Sequence, residues 1–270
     1  MKIELRKFDI SSIQDDKVVV LIGKRETGKS FLVRDLLYYH RNIPVGTVLS
    51  GTESANPFYE SMVPSLFIHD SYDPDIVNNI LERQKKVTQL SKKSPDIDPR
   101  AFLILDDCLF DGRWINDKNI RYLFMNGRHV KVFLVITLQF ALGIPPVLRT
   151  NIDYVFILRE NIVANRKRLY DHYAGMFPSF ETFCTVLDQT TENFECLVIN
   201  NNAKSNRIED QVFWYKADTH DDFKIGAPEF WNLHQECFNR NACDEEEPYD
   251  PKSLRRRKGP SLSVKKAPHH

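Results

Sequence analysis

The chain has 270 residues, 42% of them hydrophobic and 27% charged, with 37 basic residues balancing 37 acidic ones. That length allows a substantial core in one or two domains, and zero net charge excludes a histone-like basic field, leaving any nucleic-acid contact to a local patch or to several copies around a ring. Five cysteines (Cys108, Cys184, Cys196, Cys237 and Cys243) with no C-x-x-C pair argue against a disulfide framework or a zinc site and for a reducing compartment.

The opening MKIELRKFDI has no apolar run after its basic residues, so it does not read as a signal peptide. No later stretch approaches the ~20 apolar residues a membrane span needs. A soluble, intracellular chain is expected. Residues 18–22 read as an apolar strand and 31–39 (FLVRDLLYY) as a helix. Short strands follow at 47–50 and 66–69, then an amphipathic helix at 75–90 that fades into the polar loop SKKSPDIDPR. Residues 101–105 form an apolar strand ending in Asp106-Asp107. A helix is expected at 119–128, the most strand-like run of the chain at 130–138 (VKVFLVITL), and another strand at 154–158. Strands that are apolar on both faces and alternate with helices indicate a three-layer α/β fold with a mainly parallel central sheet. Beyond residue 160 come helices at 161–174 and 179–189. Strands at 194–199 and 212–215 close an antiparallel hairpin around NNNAKSNRIED. The composition then shifts to DEEEPYDP and LRRRKGPSLSVKKAPHH. The division expected is a lead-in at 1–16, one folded domain at 17–236 and a disordered charged tail at 237–270.

The stretch VVVLIGKRETGKS carries Gly23, four residues, then Gly28, Lys29 and Ser30, the spacing of a phosphate-binding loop. The chemistry requires backbone N–H groups converging on phosphate oxygens at the start of a helix whose dipole favours an anion. A lysine must reach the β/γ-phosphates and a hydroxyl must hold Mg²⁺. Residues 23–31 (Gly23, Lys24, Arg25, Glu26, Thr27, Gly28, Lys29, Ser30 and Phe31) are therefore the candidate ATP-binding loop. Lys24 or Arg25 either adds charge near the γ-phosphate or stays in solvent. The strand FLILDD supplies the second half. Asp106 is expected to order Mg²⁺ opposite Ser30, and Asp107 to polarise an attacking water as general base. That second carboxylate favours hydrolysis over transfer to a small molecule. The distance from Ser30 to Phe102 leaves room for an extra strand between the motifs, as in additional-strand ATPases. Gln139, at the tip of strand 130–138, is the candidate γ-phosphate sensor, with Thr137 as the alternative.

The segments IGKRETGKSFLVRDLLYY, FLILDDC and RYLFMNGRHVKVFLVITLQFALGIPPVLRTNIDYVFILREN together resemble the genome-packaging ATPases of nucleocytoplasmic large DNA viruses. The poxvirus-type enzyme belongs to that group, and the wider relationship is with the FtsK–HerA pumps. The match spans roughly residues 15–235. MNGRH and GIPPVLRTN carry it more specifically than the loop, because no general phosphate chemistry requires them. The resemblance implies a ring, a homo-hexamer, that hydrolyses ATP with Mg²⁺ and drives double-stranded DNA into a preformed capsid. It also implies docking on a capsid or portal-region protein in the host-cell cytoplasm. Glu26 and Thr27 stand where relatives carry smaller residues. A cellular HerA-like translocase would call for an N-terminal barrel, for which the residues before Val18 leave no room. An ATP-binding assembly scaffold with little turnover would need neither Asp107 nor an arginine acting in trans.

Ring ATPases use an arginine from a neighbour to stabilise charge on the γ-phosphate. Arg149, in the loop stiffened by Pro145 and Pro146, is preferred here, with Arg128 as the second candidate. Arg159 reads as structural and His129 as a helix-end residue. Sequence-independent DNA contact would use Lys85, Lys86, Lys92 and Lys93 in the polar insertion, or Arg166-Lys167-Arg168, although solvated helix faces explain the same charges. Trp114, Trp214 and Trp231 read as packing residues. The basic tail (Arg255 to Lys258, Lys265, Lys266) fits a nuclear address, a nucleic-acid patch or a capsid contact.

Overall fold

A computed structural model of the chain describes residues 4–107 and 112–237. The charged tail beyond Cys237, together with Cys108 and Cys243, lies outside the described residues. Among the described residues, eight strands form one sheet: β1 (Val18–Ile22), β2 (Val45–Ser50), β3 (Ile68–His69), β4 (Ala101–Asp106), β5 (Val132–Leu138), β6 (Tyr154–Ile157), β7 (Glu195–Asn200) and β8 (Val212–Lys216). Their spatial order is β3-β2-β4-β5-β1-β6-β7-β8. All neighbours from β3 to β6 run parallel, and β7 and β8 extend the sheet antiparallel beyond β6.

The helices are α1 (Lys29–Tyr39), α2 (Pro74–Ser91), α3 (Arg113–Asn116), α4 (Lys118–Asn126), α5 (Pro146–Arg149), α6 (Val163–Tyr173), α7 (Phe180–Thr190), α8 (Ile208–Gln211) and α9 (Pro228–Cys237). Strand alternation sends every second side chain to each side of the sheet, so two cores form. Val18, Val20, Ile22, Leu103, Leu134 and Ile136 pack with the buried faces of α2, α4, α6 and α7. Val19, Leu21, Phe102, Ile104 and Val135 pack with α1 and with Phe230 of α9. The result is the three-layer arrangement read from the sequence.

Several expectations shift in detail. The strand expected at 66–69 is only Ile68–His69, because Ser65–Phe67 form a 3-10 turn first. The helix expected to reach 128 ends at Asn126 and tightens into a 3-10 turn over Gly127–Val130. Lys131 then turns left-handed (φ 56°) to start β5 two residues later than expected. GIPPVLRTN is no plain loop, since Pro146 opens a single helical turn, a place where a missing N–H costs nothing. The polar hairpin connection contains α8, and α9 had no counterpart in the sequence reading.

The room expected between the two motifs is filled by strands, and the sheet also carries one between β1 and β4. β2 and β3, which occupy the sequence between the two motifs, lie outside β4, and the strand standing between β1 and β4 is the later β5. On α1, the fully buried Asp35 accepts from Tyr215 Oη (2.6 Å) and the Asp218 N–H (3.1 Å), with His220 Nε2 2.6 Å from its other oxygen.

Candidate active site

Parallel strands leave their C-terminal ends on one edge of the sheet, and β1, β4 and β5 deliver the chemistry-bearing residues there. β1 stops at Gly23, whose N–H donates to Leu138 O at 2.9 Å. A Cβ on Gly23 would stand 2.8 Å from Thr27 Oγ1 and 2.9 Å from Leu158 Cβ, so the loop closes only around a glycine. Thr27 Oγ1 in turn donates to Lys24 O at 2.8 Å. Gly28 sits at φ 94°, left-handed, and caps α1 without a side-chain hydrogen bond. The first-turn N–H groups of α1 are thus available to an anion.

Lys29 extends back over the loop, its Nζ donating to Gly23 O at 3.4 Å. Burial pushes its ammonium pKa down, the charges of Asp107 and Asp106 pull the other way, and Arg25 adds to the depression. Those two carboxylates are thus its electrostatic counterparts across the cleft. Asp106 ends β4 flanked by β2 and β5. Its Oδ2 accepts from Ser50 Oγ at 3.2 Å, and its Oδ1 accepts from Thr137 Oγ1. Asp107 follows at φ 53°, a conformation uncommon for any residue with a side chain. Its N–H donates to the same Thr137 hydroxyl at 3.1 Å, and its Oδ2 accepts from Gln139 Nε2.

The cleft between these parts measures about 520 Å³ and is lined by Lys24, Arg25, Glu26, Gly28, Lys29, Ser30 and Phe31 on one side and Asp106, Asp107 and Gln139 on another. Lys24 and Gln139, 115 positions apart in the chain, are brought together, and every expected loop, carboxylate and sensor residue other than Gly23, Thr27, Thr137 and the two trans candidates Arg128 and Arg149 lines this space. Gly23 and Thr27 shape it from beneath. Gln139 faces the cleft and bonds the Asp107 carboxylate, while the buried Thr137 hydroxyl holds the Asp106 carboxylate and the Asp107 backbone N–H.

Three participants carried no local signal in the sequence. Ser50 reaches Asp106 only because β2 pairs with β4. Glu160, just past β6, holds Lys24 Nζ at 2.5 Å with its side chain 8% exposed. Burial alone would raise the Glu160 carboxyl, but hydrogen bonds from Lys24, the Ile162 N–H and Asn165, with the Lys24 charge, hold it below the usual range. Lys24 is therefore tied to the end of β6 and Arg25 stays exposed in the loop. Phe194, before β7, completes the cleft wall.

Neither arginine reaches this chain's own cleft. Arg128 lines a separate polar cavity of about 190 Å³ with Lys17, Val18 and Asn151, at the opposite end of β1, roughly 16 Å of strand away. The Arg149 guanidinium lies 5.8 Å above the Tyr173 ring on α6. Arg159 donates to Asn161 at 3.2 Å, and His129 is exposed on the 3-10 turn after α4.

Of the basic residues considered for DNA, Arg166 pairs with Asp188 and donates to Glu160 O, and Lys167 pairs with Asp171 at 2.8 Å. Arg168 bonds Asn165 at 3.1 Å, and Lys85 lies over the Tyr122 ring at 5.2 Å. Lys86, Lys92 and Lys93 are exposed at the C-terminal end of α2. Trp114 is buried, while Trp214 and Trp231 are half-buried. Among the described residues no helix is long and apolar enough to cross a membrane.

No family model matches the chain. It is 42% identical over 243 residues to the uncharacterized protein L437 of Acanthamoeba polyphaga mimivirus, covering 88% of this chain and 85% of the relative. It is 40% identical over 238 residues to the uncharacterized protein 075L of Invertebrate iridescent virus 6, covering 87% and 90%. Among solved structures, it is similar to B204, the DNA-packaging ATPase from Sulfolobus turreted icosahedral virus, with a TM-score of 0.53 and 16% identity over 77% of this chain and all of the other. The chain thus belongs to a family of large-DNA-virus proteins that includes the mimivirus and iridescent-virus relatives, built on the P-loop NTPase fold of the viral genome-packaging enzymes.

Proposed function

We propose that this chain is an ATP-hydrolysing motor that translocates double-stranded viral DNA into a preformed capsid. One observation carries the hydrolytic part. Lys29 and Ser30 of the loop, the Asp106-Asp107 pair and Gln139 line a single cleft although they come from three separate strands.

In this reading the triphosphate lies on the first turn of α1, with Gly23 and Gly28 giving the backbone room and Lys29 set against the β/γ-phosphates. Asp107 takes a proton from the attacking water. Gln139 holds the carboxylate through Oδ2 and Thr137 holds its backbone, so the base is fixed before the water arrives. Mg²⁺ fits the chemistry of the donor set. Ser30 and Asp106 line the same cleft, an oxygen-only pair of the sort Mg²⁺ takes while keeping most of its waters. Ser30 and Asp106 would hold the ion there, and it would supply positive charge to offset that of the phosphates.

The placement of Arg149 and Arg128 outside the chain's own cleft supports action in trans on a neighbouring subunit, and with it a homo-hexameric ring. The packaging task is supported by the likeness to B204, by the viral relatives, and by the MNGRH and GIPPVLRTN segments. On this reading the ATPase domain is residues 17–236, and the motor works with a capsid or portal-region protein at the assembly site in host-cell cytoplasm. The exposed Lys86, Lys92 and Lys93 are left as DNA-phosphate contacts, whereas Arg166 and Lys167 are committed to carboxylates.

The test is steady-state ATP hydrolysis by the purified full chain with and without linear double-stranded DNA, beside Asp107→Asn. Turnover raised several-fold by DNA, with ATP bound but not hydrolysed by the variant, supports the motor. ATP binding with background turnover under both conditions would instead mark a nucleotide-binding assembly scaffold.

A further inference from the structure

The cleft has two ends, and the sheet order decides which part of a nucleotide each can take. β5 and β4, with Gln139, Asp106 and Asp107 at their tips, lie on one side of β1, and β6 and β7 lie on the other. A triphosphate seated on α1 must turn its terminal phosphate toward Asp107, where water is polarised. Its nucleoside then leaves on the β6–β7 side.

Phe194 stands on that side, immediately before β7. Its ring carbon comes within 3.3 Å of where a Cβ on Gly28 would be, so the ring borders the phosphate-binding turn itself. Yet 69% of the residue is exposed, and it shares the cleft wall with Phe31, 67% exposed. Its backbone is also unusual, at φ 63° directly after Asn193 at φ 50°. Asn accepts the left-handed region readily, whereas a bulky aromatic there is a true outlier of the kind that clusters at ligand clamps. A packing role would bury the ring. A turn role would use Gly or Asn, as position 193 does. Neither accounts for an exposed aromatic face held in a strained backbone beside the phosphate loop.

We propose that Phe194 is the base-stacking residue of this cleft, receiving the face of the nucleobase of a nucleoside triphosphate whose phosphates lie on α1. Phe31 supplies a second apolar contact. The inference rests on the nucleotide reading of the cleft and adds how the base is held. Stacking recognises a π-face and not a donor–acceptor pattern, so ATP and GTP bind within about fivefold of each other.

The experiment measures dissociation constants of the full chain for ATP and for inorganic tripolyphosphate, in the wild type, Phe194→Ala and Phe194→Trp. Loss of stacking in Phe194→Ala weakens ATP about ten- to a hundredfold and leaves tripolyphosphate within about twofold. Phe194→Trp retains ATP binding, and its indole fluorescence is quenched by ATP but not by tripolyphosphate. Thermal midpoints stay at the wild-type value, because an exposed ring is being changed. Equal weakening of both ligands would make Phe194 a buttress of the loop and overturn the proposal. Unchanged ATP affinity in Phe194→Ala would overturn it too, while leaving the nucleotide site intact. A wild-type chain that binds neither ligand would overturn the nucleotide reading along with it.

Discussion

Thr137 is 1% exposed at the tip of β5, and its single hydroxyl serves both acidic residues, donating to Asp106 and accepting the Asp107 N–H at 3.1 Å. Thr137→Val keeps the shape and the branching and removes only that oxygen. What remains is an Asp107 N–H without its acceptor, in a residue already held at φ 53°, and an Asp106 carboxylate with one donor fewer. A hydrogen bond to a charged group is worth ~1.5–3 kcal/mol, and an orphaned donor costs ~1–3 kcal/mol. Both bonds are part-buried, and Ser50 still donates to Asp106 at 3.2 Å, so the lower ends apply and the sum is ~2–3 kcal/mol. In a domain of this size that lowers the melting temperature by about 5–10 °C. Catalysis falls further than binding, because Thr137 braces the base and touches none of the phosphate cradle. The assay is thermal and urea unfolding beside kcat and ATP affinity, with Thr137→Ser as the conservative variant. Ser restores the hydroxyl and should recover most of both losses. A Val variant within ~0.5 kcal/mol of wild type and with unchanged kcat refutes the bracing role.

A Cβ at Gly46 would stand 2.2 Å from the fully buried Phe102 ring, so Gly46→Ala overpacks the core at a cost of about 1–3 kcal/mol or more by urea unfolding; a neutral result would show that the ring can yield. In acid, the Arg100 hydrogen bond holds the Asp98 carboxyl below the usual range. For Asp15 burial alone would raise the pKa, but His40 and Arg100 outweigh it. Depressed carboxylates contribute stability that is fully present above their unfolded pKa near 4 and is lost as pH falls through the lower folded value. Asp15→Asn should therefore make the acid limb of a stability–pH curve shallower, and an unaltered slope would refute the assignment. Arg149→Ala and Lys29→Ala should each lose about 10³-fold or more of turnover, and mixing the two inactive proteins should restore part of it, since an intact Arg149 then meets an intact loop. If only Arg128→Ala complements in this way, Arg128 is the trans residue.

The parts of the site that phosphate chemistry fixes at short range were legible in the sequence. Gly23 to Ser30 must be contiguous to make one turn, and Asp106-Asp107 must end an apolar strand, so both announce themselves. Residues that serve the site from elsewhere do not. Ser50 ends one β-branched strand among several, Glu160 is an ordinary acidic residue after β6, and Phe194 reads as the first residue of a strand. Only strand pairing and loop packing bring them in. The same limit hides the strand order. Composition predicts that 130–138 is a strand, but its insertion between β1 and β4 is decided by packing over distances that periodicity does not cover. Short turns such as α5 and the 3-10 segment after α4 escaped because one turn is too short to show a period. α9 buries only Phe230, too little to mark a helix by periodicity.

The buried Asp35 has a mechanical consequence. It sits on the helix whose first turn is the phosphate seat, and it is gripped by Tyr215, Asp218 and His220 from the far rim of the sheet. Removing any one partner strips a buried carboxylate of a needed donor, a disruption in the range of several kcal/mol. The carboxylate therefore ties the helix that carries the phosphate seat to the outer edge of the sheet, and α1 cannot shift relative to the 215–220 segment without lengthening at least one of these contacts.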